Sequence, residues 1–158
     1  MRLLNGIKNT IIIDDSYNAL PESIHNGAEI LSNIKTYGRK IYVLGRLAEL
    51  GKYTEESYKE AVKYIREGCD ILFLVNDGGL ALKYAEKLNF KELHSFNNFN
   101  DDYLKNTREV GEFLKNYLDE NDVIIFKGSR HSTAFEIAIA KILKNIKDKK
   151  FLIQDYIK

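Results

Sequence analysis

The sequence predicts an α/β protein, a Rossmann-like three-layer sandwich with a mostly parallel sheet. Three observations carry that expectation. Short apolar runs rich in β-branched residues recur along the chain without alternating with polar ones, the mark of strands covered on both faces. Each run ends in a polar or glycine-bearing turn, and a segment with apolar residues at helical spacing follows. The alternation repeats five times, so right-handed crossovers place helices on both faces of one sheet.

Met1 to Thr10 reads as a lead-in with a turn at Asn5-Gly6. Ile11-Ile12-Ile13 is the first strand, and Asp14, Asp15, Ser16, Tyr17 and Asn18 crowd its C-terminal end. Pro21 suits the first position of a helix that runs to Lys35, with Ile24, Ala28, Leu31 and Ile34 as its inward stripe. His25 lies off that stripe and reads as solvated. Lys40 to Leu44 is the second strand, and Gly45 to Tyr53 is the loop after it. Thr54 caps a helix that continues to Glu67 through Tyr58, Ala61, Val62 and Ile65.

Asp70 to Val75 is a third strand, continuous in apolar residues after its first position. The turn Asn76-Asp77-Gly78-Gly79 then opens a helix from Leu80 to Leu88. A glycine-rich strand-to-helix turn invites a phosphate reading. It matches neither G-x-G-x-x-G nor G-x-x-x-x-G-K-[ST], so a plain tight turn is the preferred reading. Glu92 to Phe96 is a short edge strand and Asn97 to Asp102 a loop. Thr107 to Asp119 is helical, Asp122 to Phe126 is the last strand, and Phe135 to Ile146 is the last helix. The stretch 147–158 begins with a charge run and ends with Phe151, Leu152, Ile153 and Tyr156. It suits either an extra strand or packing on a partner, as a peripheral tail on a single domain spanning 1–158.

At 158 residues the chain is the size of one domain with a substantial core. Its 24 basic and 23 acidic residues are interspersed and leave a net charge of +1, which gives no electrostatic case for nucleic acid or an anionic membrane. No apolar run approaches the ~20 residues of a membrane span, and Met-Arg-Leu-Leu-Asn-Gly lacks a signal peptide's apolar region. The single cysteine, Cys69, has no internal disulfide partner and reads as core filler, so the expected location is cytoplasmic. Three scattered histidines and one cysteine give no metal-ligand spacing, and no Ser-His-Asp set can be argued. No catalytic or metal-ligating residue is assigned.

A parallel sheet gathers its strand C-termini on one edge, where the loops after Ile13, Leu44, Val75 and Phe126 share a rim. That rim carries Asp14, Asp15, Tyr17, Asn18, Arg46, Glu49, Lys127, Ser129, Arg130 and His131, a mixture suited to a polyanion or a zwitterion.

Three blocks on this rim, Asp14-Asp15-Ser16-Tyr17-Asn18-Ala19, Val43 to Gly51, and Phe126-Lys127-Gly128-Ser129-Arg130, occur in the order and at about the spacing of a known family. The chain resembles the C-terminal domain of the Mur ligases, ATP-dependent enzymes that build the peptidoglycan stem peptide. Its first block is nearest in form to the branch that adds D-alanyl-D-alanine. The resemblance implies a Rossmann-like domain that closes over ATP and holds the incoming amino compound. It implies nucleotide contacts from Asp15, Tyr17 and Asn18, and amino-substrate contacts from Arg46, Glu49, Lys127, Ser129 and Arg130. ATP and magnesium (Mg) belong to the complete ligase, whose P-loop and metal ligands lie in a central domain outside this chain. The implied partners are nucleotide, amino substrate, and the central and N-terminal domains in cis or in trans.

In related ligases an arginine of the interdomain linker contacts the nucleotide, and this chain starts just past that point. It is therefore expected to be an excised or separately encoded domain. Departures from the family pattern bear on the substrate. Gly45-Arg46-Leu47 stands where the family usually has Gly-Asp-Met, Leu20 precedes Pro21 in place of Asn, and Tyr58 takes the place of a histidine. Two other readings stay open: a ligase of the same superfamily with another amino substrate, and a non-catalytic Rossmann-like module that binds nucleotide or protein.

Overall fold

A computed structural model describes residues 1–99 and 101–157. Its centre is a six-stranded sheet of β1 (Arg2–Asn5), β2 (Ile11–Asp14), β3 (Lys40–Leu44), β4 (Ile71–Val75), β5 (Glu92–Phe96) and β6 (Val123–Lys127). Their spatial order is β1-β2-β6-β3-β4-β5, with β1 antiparallel to β2 and every other pair parallel. The lead-in expected at the N-terminus is thus a strand, with Leu3 opposite Ile13 and Leu4 opposite Ile12. Four half-polar residues carry little strand signal on their own. The exposed edge of β2 is what makes them a strand.

The helices are α1 (Pro21–Asn33), α2 (Thr54–Gly68), α3 (Leu82–Ala85), α4 (Tyr103–Tyr117), α5 (Arg130–Thr133) and α6 (Glu136–Ile142). Ser23 fixes the start of α1 by accepting the Leu20 N–H and donating to the Leu20 carbonyl. α4 begins at Tyr103 rather than Thr107 because Asp102 accepts the Lys105 N–H at 3.1 Å and caps it. α3 shrinks to one turn after Gly78 and Gly79, both with positive φ. α6 stops at Ile142, where Leu143 turns extended and bridges to Gly6.

α1, α2 and the short α3 cover one face of the sheet, and α4 and α6 cover the other. β5 is the first parallel strand whose outgoing helix crosses to the second face, and β6 lies between β2 and β3. The sheet therefore has a switch in connection at its centre, where crevices form at strand C-termini. The tail forms a 3-10 turn, Ile146–Phe151, and folds back on its own domain. Leu152 is buried in the α4/α6 layer, and Ile157 is packed against it.

At the N-terminal edge of the sheet, Asp122 is fully buried and accepts the Arg39 guanidinium at 2.6 Å and the backbone N–H groups of Arg39 and Asp119 at 2.8 Å each. This contact raises the Arg39 guanidinium above its ordinary pKa. Among the described residues no helix is long and apolar enough to cross a membrane.

Candidate functional site

The C-terminal edge is built differently. As β2 ends, Asp14 turns inward and its Oδ1 accepts both the N–H and the hydroxyl of Ser16, at 3.2 and 2.6 Å. Asp15 is held by its own N–H, which donates to the Phe126 carbonyl on neighbouring β6 at 3.1 Å. Its carboxylate accepts Lys127 Nζ at 2.7 Å and lies 3.4 Å from the N-terminal ammonium. Lys127 is only 3% exposed, so a cation at the end of a buried strand finds its anion within the chain. The family resemblance implies a nucleotide contact for Asp15 and an amino-substrate contact for Lys127; the structure joins the two in one ion pair. Tyr17 beside them is 72% exposed, and the exposed Asn18 uses its Oδ1 to accept the Ala19 N–H at 2.8 Å.

Backbone bonds stitch the loops together. Ser129 N–H donates to the Arg46 carbonyl at 2.9 Å, and Arg130 N–H reaches the Tyr17 carbonyl at 3.4 Å. The Arg130 guanidinium pairs with Asp155 of the tail, and the Tyr156 and Tyr103 hydroxyls lie 3.3 Å apart. Among the described residues, Arg130 Nε and Glu136 Oε1 are buried without a hydrogen-bond partner. Burial pushes the Glu136 carboxyl up; Arg130 draws it down, and Asp14 adds to the rise.

Beside this patch a cleft of about 680 Å³ opens between the Arg46–Gly51 loop, the Asn76–Leu80 turn, Asn97, Phe99 and Tyr103 at the start of α4, and His131-Ser132. Two predicted residues line it, Arg46 and Glu49; Lys127, Ser129 and Arg130 do not. Arg46 is exposed and has no ion-pair partner among the described residues, so neither Glu49 nor Asp14 neutralises it. Glu49 adopts a left-handed backbone, φ 62°, which turns the loop over the cleft.

The floor was not legible in the sequence. Asn106, on α4, donates to Asn76 Oδ1 at 2.7 Å and accepts the Phe99 N–H at 3.2 Å, while Asn76 donates to the Tyr103 carbonyl at 3.1 Å. Asp77 accepts the Ala81 N–H at 2.9 Å and Asn97 Nδ2 at 2.5 Å. Gly78 N–H donates to Asn97 Oδ1, and Leu80 N–H to the Asp77 carbonyl. The Gly78 and Leu80 amides of the turn after β4 are thus spent on Asn97 and on the Asp77 carbonyl, which favours the plain tight turn over a phosphate site. The one available signal was the run of asparagines at 97–98, which read only as a loop.

The model of the Mur ligase family's glutamate ligase domain matches residues 1–130. The chain belongs to the Mur ligase family. It is 30% identical over 126 residues to the UDP-N-acetylmuramoyl-tripeptide–D-alanyl-D-alanine ligase of Rickettsia prowazekii, covering 79% of this chain and 26% of that protein. The Bacillus subtilis ligase of the same name is 29% identical over 132 residues, covering 80% and 26%. Among solved structures, MurF from Acinetobacter baumannii superposes with a TM-score of 0.69 at 23% identity, over 91% of this chain and 30% of that one. MurF from Thermotoga maritima, solved in complex with ADP, gives 0.60 at 23% identity over 94% and 30%. These two show the α/β Rossmann-like fold. The chain spans about a quarter of the length of the curated relatives it matches.

In this Mur ligase domain the three motif blocks end β2, β3 and β6. Those strands are far apart in sequence but adjacent in the sheet as β2-β6-β3. Among the described residues no three His, Cys, Asp or Glu side chains gather as a metal site.

Proposed function

We propose that this chain is the C-terminal domain of an ATP-dependent, amide-bond-forming ligase of cytoplasmic cell-wall precursor synthesis. It positions an incoming amino compound, D-alanyl-D-alanine, and closes over ATP together with central and N-terminal domains in cis or in trans. The observation that carries the reading is the cleft. Its wall presents a guanidinium with no ion-pair partner among the described residues and an exposed carboxylate from one loop, Arg46 and Glu49, above a floor containing Asp77. Charges of both signs within one concavity suit a zwitterion, and about 680 Å³ lies within the range of small-molecule sites. The names of the relatives agree with it. Arg46, standing where the family usually has aspartate, favours a second reading in which the amino substrate differs from D-alanyl-D-alanine.

The residues present fit one flank of a nucleotide. Tyr17 offers an exposed ring, Asn18 an exposed amide whose NH₂ has no partner among the described residues, and Asp15 a carboxylate already neutralised by Lys127. They do not cradle a triphosphate, which needs a run of free backbone amides. Bound ATP would supply the phosphoryl group that activates a carboxylate for amide formation. The chain's own part is positioning: the cleft orients an amine, and the Asp15–Lys127 pair ties the end of β2 to the end of β6 beside it.

Titration of the chain with ATP should perturb Asp15, Tyr17 and Asn18, and D-alanyl-D-alanine should perturb Arg46 to Gly51 and Asn76 to Leu80. The chain alone should release no ADP. Overlapping shifts for the two ligands, or dipeptide shifts confined to Asp15–Asn18, would overturn this division.

A further inference from the structure

Two tyrosines are wholly buried beside the α1/α2 layer, and they use their hydroxyls differently. Tyr42 donates its hydrogen to the Ile24 carbonyl at 3.1 Å. Tyr58 is 1% exposed, and its oxygen accepts the Leu47 N–H at 2.9 Å. No acceptor stands within bonding distance of its own hydrogen among the described residues. A phenol both donates and accepts, and a buried one ordinarily finds a partner for each. Tyr58 is one of the residues lining the cleft, near enough to Arg46 and Asp77 for both charges to act on its phenol. Burial pushes the phenol up to about 12, so the hydrogen stays in place across the physiological range. The Leu47 N–H occupies one lone pair and leaves the O–H to point elsewhere.

We propose that the Tyr58 hydroxyl donates to a carboxylate oxygen of the cleft's ligand beside Arg46, and that this contact selects amino compounds ending in a free carboxylate. The inference rests on the amino-compound reading of the cleft and adds a specificity-determining residue to it. A guanidinium alone attracts any anion. A phenol oriented by a backbone amide adds a fixed direction, and a site built to hydrogen-bond an oxygen discriminates through the partner left unpaired.

The test compares two probes, D-alanyl-D-alanine and its C-terminal amide, titrated into the wild-type chain and into Tyr58→Phe, with exchange of the Leu47 amide followed in both proteins. The wild type should prefer the free carboxylate. The Phe variant should bind the dipeptide about tenfold more weakly, as expected for a lost hydrogen bond to a charged group, and the amide less than threefold more weakly. Equal losses for both probes, with faster Leu47 exchange, would show that Tyr58 only braces the loop and would overturn the proposal. Unchanged dipeptide binding would overturn it too. A wild type that binds neither probe defeats the amino-compound reading itself, and the inference falls with it. If Tyr58→Phe does not fold, Tyr58→His replaces it, since imidazole can accept from Leu47 with one nitrogen and donate with the other. That variant should keep the preference, and losing it while Leu47 stays protected also overturns the proposal.

Discussion

At the N-terminal edge of the sheet, the Arg39 fork closes on Asp122, two backbone N–H groups complete the carboxylate, and Lys8 Nζ donates to the Leu118 carbonyl at 2.6 Å. At the C-terminal edge, among the described residues, Arg46 faces a cleft without an ion-pair partner, Tyr17 stands out in solvent, and the single buried atoms Arg130 Nε and Glu136 Oε1 have no hydrogen-bond partner. The same residue types serve opposite ends. A buried charge satisfied from every side holds a fold together, whereas a charge left without a partner is available to a ligand. The difference separates residues that hold the fold from residues that use it.

Asp122→Ala should have the largest effect. It strands a partly buried guanidinium and two backbone donors, at a cost of about 3 kcal/mol, read from urea unfolding. A loss below about 1 kcal/mol would remove the contrast between the edges.

Arg46→Ala should leave unfolding within about 0.5 kcal/mol, as for an exposed side chain. In a complete ligase it should raise the apparent KM for the amino substrate roughly ten- to a hundredfold, the worth of a hydrogen bond between charged groups, with the KM for ATP little changed. Lost stability with substrate affinity intact would move Arg46 to the structural side of the comparison.

The smallest expected effect lies at Glu136, a buried carboxyl on the binding side. Its folded pKa is raised by burial, so the folded state holds the proton more tightly than the unfolded state, whose carboxyl titrates near 4.5. The stability this provides is complete below that value and is lost as pH rises through the folded pKa. Glu136→Gln, which stays neutral, should match the wild type near pH 4 and melt at a higher temperature at pH 7. A difference independent of pH would mean that Glu136 is already satisfied.

Much of the fold was legible because helices and buried strands announce themselves locally. Runs such as Ile71–Val75 and the stripe of α2 carry their period within one short segment, and all five expected strands appear in place. β1 was missed because Arg2–Asn5 has no period of its own. One expected helix, from Phe135 to Ile146, lost its last turn because Leu143 bridges to Gly6, a contact that no local pattern contains.

The sequence by itself determined the α/β class, the rim loops and the three motif blocks, because each depends on neighbours along the chain. Tertiary structure alone decided which blocks touch. The chain crosses over so that β6 enters between β2 and β3, which pairs Asp15 with Lys127, leaves Arg46 without an ion-pair partner among the described residues, and sets Tyr58 under Leu47. Whether a polar group holds the fold or awaits a ligand depends on which partners lie within about 3 Å, and strand order sets those partners.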